Sequence, residues 1–215
     1  MLEGLLNGGT VTYDGDGSVL RNVFISPRPL QDPHPPIWFA GIDPTSAMWA
    51  GQHGMNLAIG FAPDDHLFGA TASFRHGMGI RRTRTRELDS VRRGTVALMR
   101  HLYIAETDEQ AFTEMTEHLM RLDEIDVPAT EENRAERRQI ASDRQKELVA
   151  KNVFVAGSPE TVAKAILNAR NTLGASVFLG NPYGGGITHE QVQRSIRLLA
   201  SEVRDRLDAS VTRIG

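Results

Sequence analysis

The chain of 215 residues contains no cysteine, which excludes disulfides, thiolate metal sites, iron–sulfur ligation and thiol nucleophiles. It also lacks a basic excess, because 24 lysines and arginines stand against 27 aspartates and glutamates, and this balance disfavours a binder of bulk nucleic acid. No apolar run approaches the roughly 18 residues that span a bilayer, and the first residues lack the basic and apolar stretches of a secretory signal. We therefore expect a cytoplasmic protein without nucleic-acid or membrane partners.

The chain does contain a local pattern that occurs four times: a short apolar run, a small residue, a helix-capping residue and an amphipathic stretch. Aspartate or serine before proline suits a helix N-cap, and Thr-x-x-Gln suits a capping box. Short apolar strands that alternate with longer helices are typical of a buried parallel sheet, so we predict an α/β fold. The four apolar runs begin at Ile37, Thr95, Val153 and Val177, the predicted caps are Asp43, Thr107, Ser158 and Thr188, and a further strand is predicted at Leu57–Phe61.

Three segments lie outside this repeat. Residues 10–25 read as a hairpin around an Asp-Gly-Asp-Gly turn, and residues 27–36 hold five of the ten prolines, which predicts an extended connector. Residues 123–150 are rich in charge and have no strand pattern. We expect this third segment to form a helical excursion or a lid.

The loop of residues 40–46 is the first candidate for binding chemistry. It leaves a predicted strand, contains Gly41 and opens a helix, and the free N–H groups of a helix N-terminus attract anions such as phosphate. A structural interpretation stays open, in which Gly41 only makes a tight turn and Asp43 caps its own helix. The carboxylate of Asp43 would also repel a phosphate nearby.

Two other loops carry weaker signals. Residues 181–186 combine three glycines with Tyr183, which offers a ring and a hydroxyl to a ligand, although a plain link to the last helix is favoured. The cluster Asp64-Asp65-His66 is interpreted as a solvated turn, since three adjacent residues rarely converge on one ion. His189-Glu190 begins like a zinc-protease helix, but Gln193 stands where the second histidine should be, so no metal site is predicted.

The remaining polar features are given structural roles. The basic run of residues 81–86 is interrupted afterwards by acidic side chains and is interpreted as a solvated helix face. Scattered histidines show no ligand spacing, and packing or surface roles are assigned to them. These histidines are His34, His53, His76, His101 and His118.

An ordered set of segments covers nearly the whole chain and resembles the luciferase-like flavin monooxygenases, a family that includes bacterial luciferase and deazaflavin-dependent oxidoreductases. Each motif is weak alone, but their shared order is specific. The segments are Pro27–Gln31, His34–Gly41, Asp43–Ala47, Gln52–Gly54, Val96–Ala111, Val155–Val162 and His189–Val192 with Ser195–Ile196.

The resemblance implies a partial (β/α)8 barrel made of strands five to eight with a helical excursion. Strand five would end at Ala40-Gly41, and strands six to eight would lie near Leu57, Val96 and Val177. On this mapping residues 1–215 are a single luciferase-like domain that lacks its N-terminal half, with the lid at 123–150. The family's active-site histidine and flavin-phosphate arginines lie on that half, so no catalytic residue is assigned.

The resemblance also implies a cofactor, FMN, with a deazaflavin coenzyme as the alternative. Relatives often have serine where this chain has Asp43, which weighs against tight phosphate binding. Phe61 and Tyr183 are assigned to the substrate side. The residues assigned to the cofactor are Ala40, Gly41, Ile42, Thr45 and Ser46.

The expected function is that of a luciferase-like flavin-dependent monooxygenase or oxidoreductase acting on a small organic substrate with dioxygen. The alternative is a non-catalytic flavin-binding or structural remnant. Four strands in an open sheet leave two edges and one apolar face, so we expect either a homo-oligomer or a missing barrel half as the partner.

Overall fold

The computed structural model describes residues 2–15, 17–32, 34–84, 94–123, 130–182 and 186–212. Their strands form a two-stranded sheet and a five-stranded sheet. In chain order the elements are α1 (Leu2–Leu6), β1 (Val11–Gly15), β2 (Ser18–Val23), β3 (Trp38–Ala40), α2 (Pro44–Gln52), β4 (Asn56–Gly60), α3 (Asp64–Arg84), β5 (Val96–Ile104), α4 (Asp108–Asp123), α5 (Arg134–Ala150), β6 (Phe154–Gly157), α6 (Pro159–Leu173), β7 (Val177–Asn181), α7 (His189–Leu198), a π-helical turn (Leu199–Val203) and α8 (Arg204–Thr212).

The smaller sheet is the predicted hairpin. β1 and β2 pair antiparallel, from Val11 opposite Val23 to Gly15 opposite Ser18. Its side chains are exposed or half-buried, so the hairpin packs on the outside of the molecule. The turn that joins its strands includes residue 16, which lies outside the described residues.

The larger sheet is parallel throughout, and β5 is its central strand. β3 pairs with β4, β4 pairs with the first half of β5, and β7 pairs with β5 from Ala97 to His101. The short β6 pairs with the last residues of β5, from His101 to Ile104. The α/β class is therefore confirmed, with the four predicted barrel strands side by side as β3, β4, β5 and β7 and with β6 as an addition to them. Among the described residues the sheet is open, since β3 and β7 are not paired with each other.

Helices cover one face of this sheet. The core cluster on that face joins strand residues such as Leu57 and Leu98 to Leu67 and Phe74 of α3 and Leu173 of α6. Local signals explain the helices: Asp43, Ser158 and Thr188 accept from backbone N–H groups at their N-termini, and Gly174 ends α6 in the left-handed conformation.

The opposite face of the sheet is only partly covered. Alternate side chains of each strand point there, and neighbouring strands align them in rungs. In one rung Ala58 and Ala97 stand beside Val177, and in the next Gly60 and Met99 stand beside Leu179. Val177 and Leu179 are 36% and 40% exposed and Trp38 is 43% exposed, so this open face is apolar and in contact with solvent.

The pair α2 and α3 packs through glycines. A Cβ at Gly51 would collide with the carbonyl oxygen of Phe74, and one at Gly77 with that of Met48. The two backbones therefore approach more closely than larger side chains would allow, and α3 continues to Arg84. No described helix has the length and apolar character needed to cross a membrane.

The predicted lid segment is helical where it is described. Residues 130–150 hold a turn and then α5, which packs on α4 through a hydrogen bond from Thr116 Oγ1 to Gln145 Oε1 of 2.7 Å. Residues 124–129 of that segment lie outside the described residues.

Candidate functional site

The last residue of β7 and the first residue of β6 flank His101, which lies in the second half of β5. Its backbone is in register with Asn181 of β7 and with Phe154 of β6, so the three side chains share one rung of the sheet. This rung lies above the open apolar face, at the edge where loops of parallel α/β folds carry ligands. His101, which the sequence pattern assigns to packing or to the surface, has its imidazole at this edge.

Two phenyl rings flank the imidazole of His101. The ring centroid of Phe61 lies 4.6 Å away, and that of Phe154 lies 4.7 Å away in a stacked arrangement. Burial lowers the pKa of His101, because the charged imidazolium loses hydration in this setting. At neutral pH this histidine is therefore a neutral group that can both donate and accept a hydrogen bond.

A buried guanidinium fixes the three chain segments that carry these rings. Arg100, 1% exposed, donates to the carbonyl oxygen of Ala62 at 2.6 Å and pairs with Asp64. The second carboxylate oxygen of Asp64 accepts from Asn152 Nδ2 at 2.8 Å. Each residue of this cluster is close in the chain to one of the rings. Ala62 follows Phe61, and Arg100 precedes His101. Asn152 lies two residues before Phe154, so the cluster connects the three chain segments that carry the rings. Asp64 is thus a structural ion-pair partner at the start of α3, which corrects the predicted solvated turn.

A cavity of about 190 Å³ adjoins the ring stack. Its walls come from β5, β6 and β7 and from α4 and α5, so part of the segment at 123–150 lines the cavity, and its function as a lid stays a prediction. The lining is mixed, with apolar side chains beside two histidines and an arginine, a combination suited to a small organic molecule with a polar end. The residues that define its character are His101, Met115, His118, Arg144, Phe154 and Asn181.

Behind this cavity a polar cluster joins β5, α4 and α7. The hydroxyl of Tyr103 donates to Glu114, Arg194 pairs with the same carboxylate, and Gln110 Nε2 donates to its other oxygen at 3.0 Å. Burial and the neighbouring Glu114 carboxylate raise the pKa of Tyr103 above its usual value. The cluster holds a neutral phenol and ties α4, one of the two helices that wall the cavity, to β5 and α7.

A second cavity, of about 360 Å³, lies elsewhere between α4, α5 and the start of α6. Its most polar lining residue, Asp108, already accepts from the Ser158 N–H at 2.6 Å and the Thr161 hydroxyl at 3.0 Å. It is larger than the cavity at His101, but its described lining includes none of the stacked rings. The cavity at His101 is therefore the better candidate site.

The predicted phosphate-side loop stands at the same edge of the sheet, after β3. Ala40 is exposed at the strand end, and the Gly41 N–H donates to the carbonyl oxygen of Ala58 at 3.1 Å. The side chain of Ile42 packs against the core on the helix side. Thr45 is exposed, and Ser46 is half-buried with its N–H donating to Asp43 Oδ1 at 2.8 Å.

This loop does not fit a phosphate as it stands in the structure. The hydrogen bond from the Ser46 N–H lowers the pKa of Asp43, so a carboxylate anion occupies the anion position of the helix N-terminus. A phosphate dianion placed there would face this negative charge and would find the Gly41 and Ser46 amides already bonded.

The two substrate-side predictions differ in outcome. Phe61 is 46% exposed, has a positive φ of 57° and contacts His101, so the structure brings it to the candidate site. Tyr183 lies outside the described residues, although its neighbours Asn181 and Pro182 line the cavity. Neither placement tests a role in binding, and both assignments remain predictions.

Among the residues that the structure describes, no three histidine or acidic side chains converge to hold a metal ion. His189, the start of the rejected zinc-protease pattern, has its Nε2 2.8 Å from Gln193 Nε2 on the exposed side of α7.

The parallel strands, the cavity at their carboxyl ends and the order of segments all point to one family. The profile of the luciferase-like monooxygenases matches residues 1–176. The chain belongs to the luciferase-like monooxygenase family.

Two curated relatives match parts of this luciferase-like chain. An uncharacterised protein, y4wF, of Sinorhizobium fredii is 40% identical over 75 residues, which are 35% of this chain and 22% of that protein. The oxygenase component of a flavin-dependent trigonelline monooxygenase of Acinetobacter baylyi is 30% identical over 103 residues, which are 48% of this chain and 27% of that protein. The matches therefore span about a quarter of each relative's length.

Solved luciferase-like structures share the fold over almost the whole chain. The monooxygenase RslO1 of Streptomyces bottropensis superposes with a TM-score of 0.68 at 21% identity, covering 95% of this chain and 58% of that protein. The oxygenating constituent of 3,6-diketocamphane monooxygenase of Pseudomonas putida, solved with FMN, gives 0.67 at 16% identity and covers 96% and 60%. The coenzyme F420-dependent tetrahydromethanopterin reductase of Methanopyrus kandleri gives 0.63 at 19% identity with the same coverage. The chain thus spans less than two thirds of each neighbour.

Proposed function

We propose that this chain forms the part of a flavin- or deazaflavin-dependent oxidoreductase that holds a small organic substrate, of the monooxygenase type that uses dioxygen. The observation that carries the proposal is the cavity beside His101 of β5, near the carboxyl end of β7, where the imidazole contacts the rings of Phe61 and Phe154. Membership of the luciferase-like family supports the reaction class.

The cofactor is proposed at the level of an isoalloxazine or deazaflavin ring. A relative is flavin-dependent, one structural neighbour was solved with FMN and another depends on coenzyme F420. FMN remains the sequence prediction, and its phosphate is the portion that the loop at 40–46 does not accommodate. The redox chemistry of such a reaction belongs to the cofactor, and the protein supplies binding and orientation.

The residues at the cavity would bind and orient the substrate. Phe61 and Phe154 offer apolar faces, and the neutral imidazole of His101 can donate or accept a hydrogen bond at a substrate carbonyl or hydroxyl. The proposed lid helix α5 would exclude water from the cavity, which strengthens such polar contacts. Asn181 adds an amide on the same rung.

The open face of the sheet requires a cover in this proposal. The chain aligns to 58% to 60% of its structural neighbours' length, which supports a complementary barrel half as that cover. The open face also favours a second candidate function, a flavin-binding module without turnover. A site that is open on this face could bind a flavin ring but would not exclude water from the reacting atoms.

Flavin retention and turnover separate these candidates. The protein is mixed with FMN or coenzyme F420, passed through gel filtration and examined for visible absorbance, and the loaded protein is then reduced and exposed to dioxygen with a panel of small ketones and aromatic acids. Retention of either ring supports both candidates, and oxygenated product supports the enzyme alone. Loss of retention in His101→Ala with retention in His76→Ala, an exposed histidine of α3, would assign binding to this cavity. Absence of retention of both cofactors by the unmodified chain would refute the proposal.

A further inference from the structure

We propose that Asp43 makes the loop after β3 reject a terminal phosphate, so that this chain binds flavins without preference for the phosphorylated form. The inference rests on the proposed function in so far as it concerns flavins. It assigns to Asp43 the role of a specificity-determining residue and names the ligand class as an isoalloxazine with an uncharged ribityl tail.

The N–H donors at the start of α2 already have acceptors within the chain. Pro44 has no N–H, Ser46 donates to Asp43 Oδ1 at 2.8 Å and Ala47 donates to the Asp43 carbonyl oxygen at 2.9 Å. The Thr45 N–H contributes a further, weaker interaction to the same carboxylate. The donors that usually hold an anion at a helix N-terminus are therefore engaged by one residue of the chain itself.

Gly41 is explained by strand pairing and by the packing of a neighbouring ring. Its N–H extends the pairing of β3 with β4 by donating to the carbonyl oxygen of Ala58 at 3.1 Å. A Cβ at this position would lie 2.8 Å from the ring of Phe39, which itself packs against Trp49. The glycine is required by the packing of this ring and by the strand, and no phosphate is needed to explain it.

Charge gives a further line of support. The carboxylate of Asp43 is exposed and is kept ionised by the hydrogen bonds that it accepts. A phosphate monoester near neutral pH carries between one and two negative charges, so it would be repelled at the position where the helix dipole would otherwise attract it. An uncharged hydroxyl of a ribityl tail meets no such repulsion.

The test compares FMN with riboflavin, which differ only in the phosphate. Dissociation constants are measured by quenching of flavin fluorescence for the unmodified chain, for Asp43→Ser and for Asp65→Ser as the matched control, since Asp65 is exposed in the first turn of α3. Serine preserves the N-cap, so the fold is retained while the charge is removed.

We expect the unmodified chain and D65S to bind riboflavin at least as tightly as FMN, because the Asp43 carboxylate repels the phosphate, and D43S to favour FMN by tenfold or more, which is about 1.4 kcal/mol. A tenfold preference for FMN in the unmodified chain would overturn the inference. So would equal ratios in the unmodified chain and D43S.

A second measurement keeps the inference testable when neither flavin binds, an outcome that counts against the proposed function alone. Inorganic phosphate is titrated at constant ionic strength while the backbone amide signals of Thr45 and Ser46 are followed by NMR. Shifts in D43S with none in the unmodified chain support the inference. Equal shifts in both proteins, or none in either, contradict it, because Asp43 would then not decide anion binding.

Discussion

Two regions at the same edge of the sheet differ in how they satisfy their polar groups. At the loop after β3, Asp43 caps the amides of its own helix, and the surface is exposed and acidic. Around His101, where β7 ends and β6 begins, the ion pair of the buried Arg100 adjoins three neighbouring rings, and a cavity lies beside them. The first region resembles a binding loop in sequence, but the N–H groups of Gly41 and Ser46 already donate to acceptors within the chain. The second has no sequence motif but is open to a ligand.

The largest effect is expected from removing the ionic cluster beneath the rings. Arg100→Met should lower the free energy of unfolding by roughly 3 kcal/mol, because the carboxylate of Asp64 loses its buried partner. Urea unfolding measures this change. The control is Lys146→Met, which removes the exposed pair with Asp143 and should change the free energy of unfolding far less, because water and salt screen that pair. Equal losses in the two variants would show that Arg100 does not organise the ring stack.

A smaller effect is expected at the open face of the sheet. The isolated chain should self-associate through its exposed apolar rungs, and Leu179→Glu should weaken this association at least tenfold, or about 1.4 kcal/mol. Sedimentation velocity over a range of concentrations measures it. The matched control, Ile140→Glu, changes an exposed apolar residue of α5 away from this face and should leave association unchanged. An unmodified chain that sediments as a monomer at all concentrations would contradict the prediction.

At the loop after β3, capping and charge can be separated by two substitutions. Asp43→Ala should lower the free energy of unfolding, because the Ser46 N–H loses its acceptor at the helix N-terminus. Asp43→Ser should retain most of that stability, since serine also caps helices. Thermal or urea unfolding of both variants measures the difference, and equal stability of D43A and the unmodified chain would remove the capping role.

The smallest effect is a pH dependence centred on His101. Its pKa is lowered in the folded chain, so between the folded pKa and the ordinary value of 6.5 the unfolded chain binds more protons. The contribution of His101 to stability is therefore fully present above pH 6.5 and declines as the pH falls through the folded pKa. Urea unfolding at pH 7.5 and 5.5 should show a smaller acid-induced loss in His101→Gln than in the unmodified chain. The control is His76→Gln, which should lose as much stability in acid as the unmodified chain. If H101Q loses as much as these two proteins, His101 is not the source of the pH dependence.

Local signals in the sequence were sufficient for much of the fold. Apolar runs predicted the parallel strands, and the caps at Asp43, Ser158 and Thr188 were confirmed because each involves residues three positions apart. The capping box predicted at Thr107 is only half formed. The Gln110 N–H donates to the Thr107 hydroxyl, but the Gln110 side chain donates to Glu114. The side chain of Gln110 therefore joins the cluster of Glu114, Tyr103 and Arg194 and does not accept from the Thr107 N–H.

The features that the sequence did not predict depend on contacts between distant segments. The start of helix α3 at Asp64 was not predicted, since residues 64–66 were interpreted as a solvated turn, and the close packing of Gly77 on α2 depends on a contact between two helices. The contacts of His101 with two phenyl rings were not predicted, because Phe61 follows β4 and Phe154 begins β6, both distant in the sequence. The one available signal was its place near the carboxyl end of the predicted strand that begins at Thr95.

The central claim is that the ligand cavity lies at His101 and accepts an isoalloxazine or its substrate. The most direct measurement is a titration of the chain with oxidised FMN, and separately with riboflavin, while the ring signals of the histidines are followed by two-dimensional NMR. The account predicts that the His101 signals shift in proportion to binding while those of the exposed His66 and His76 stay in place. Flavin binding that leaves the His101 signals unmoved would contradict it.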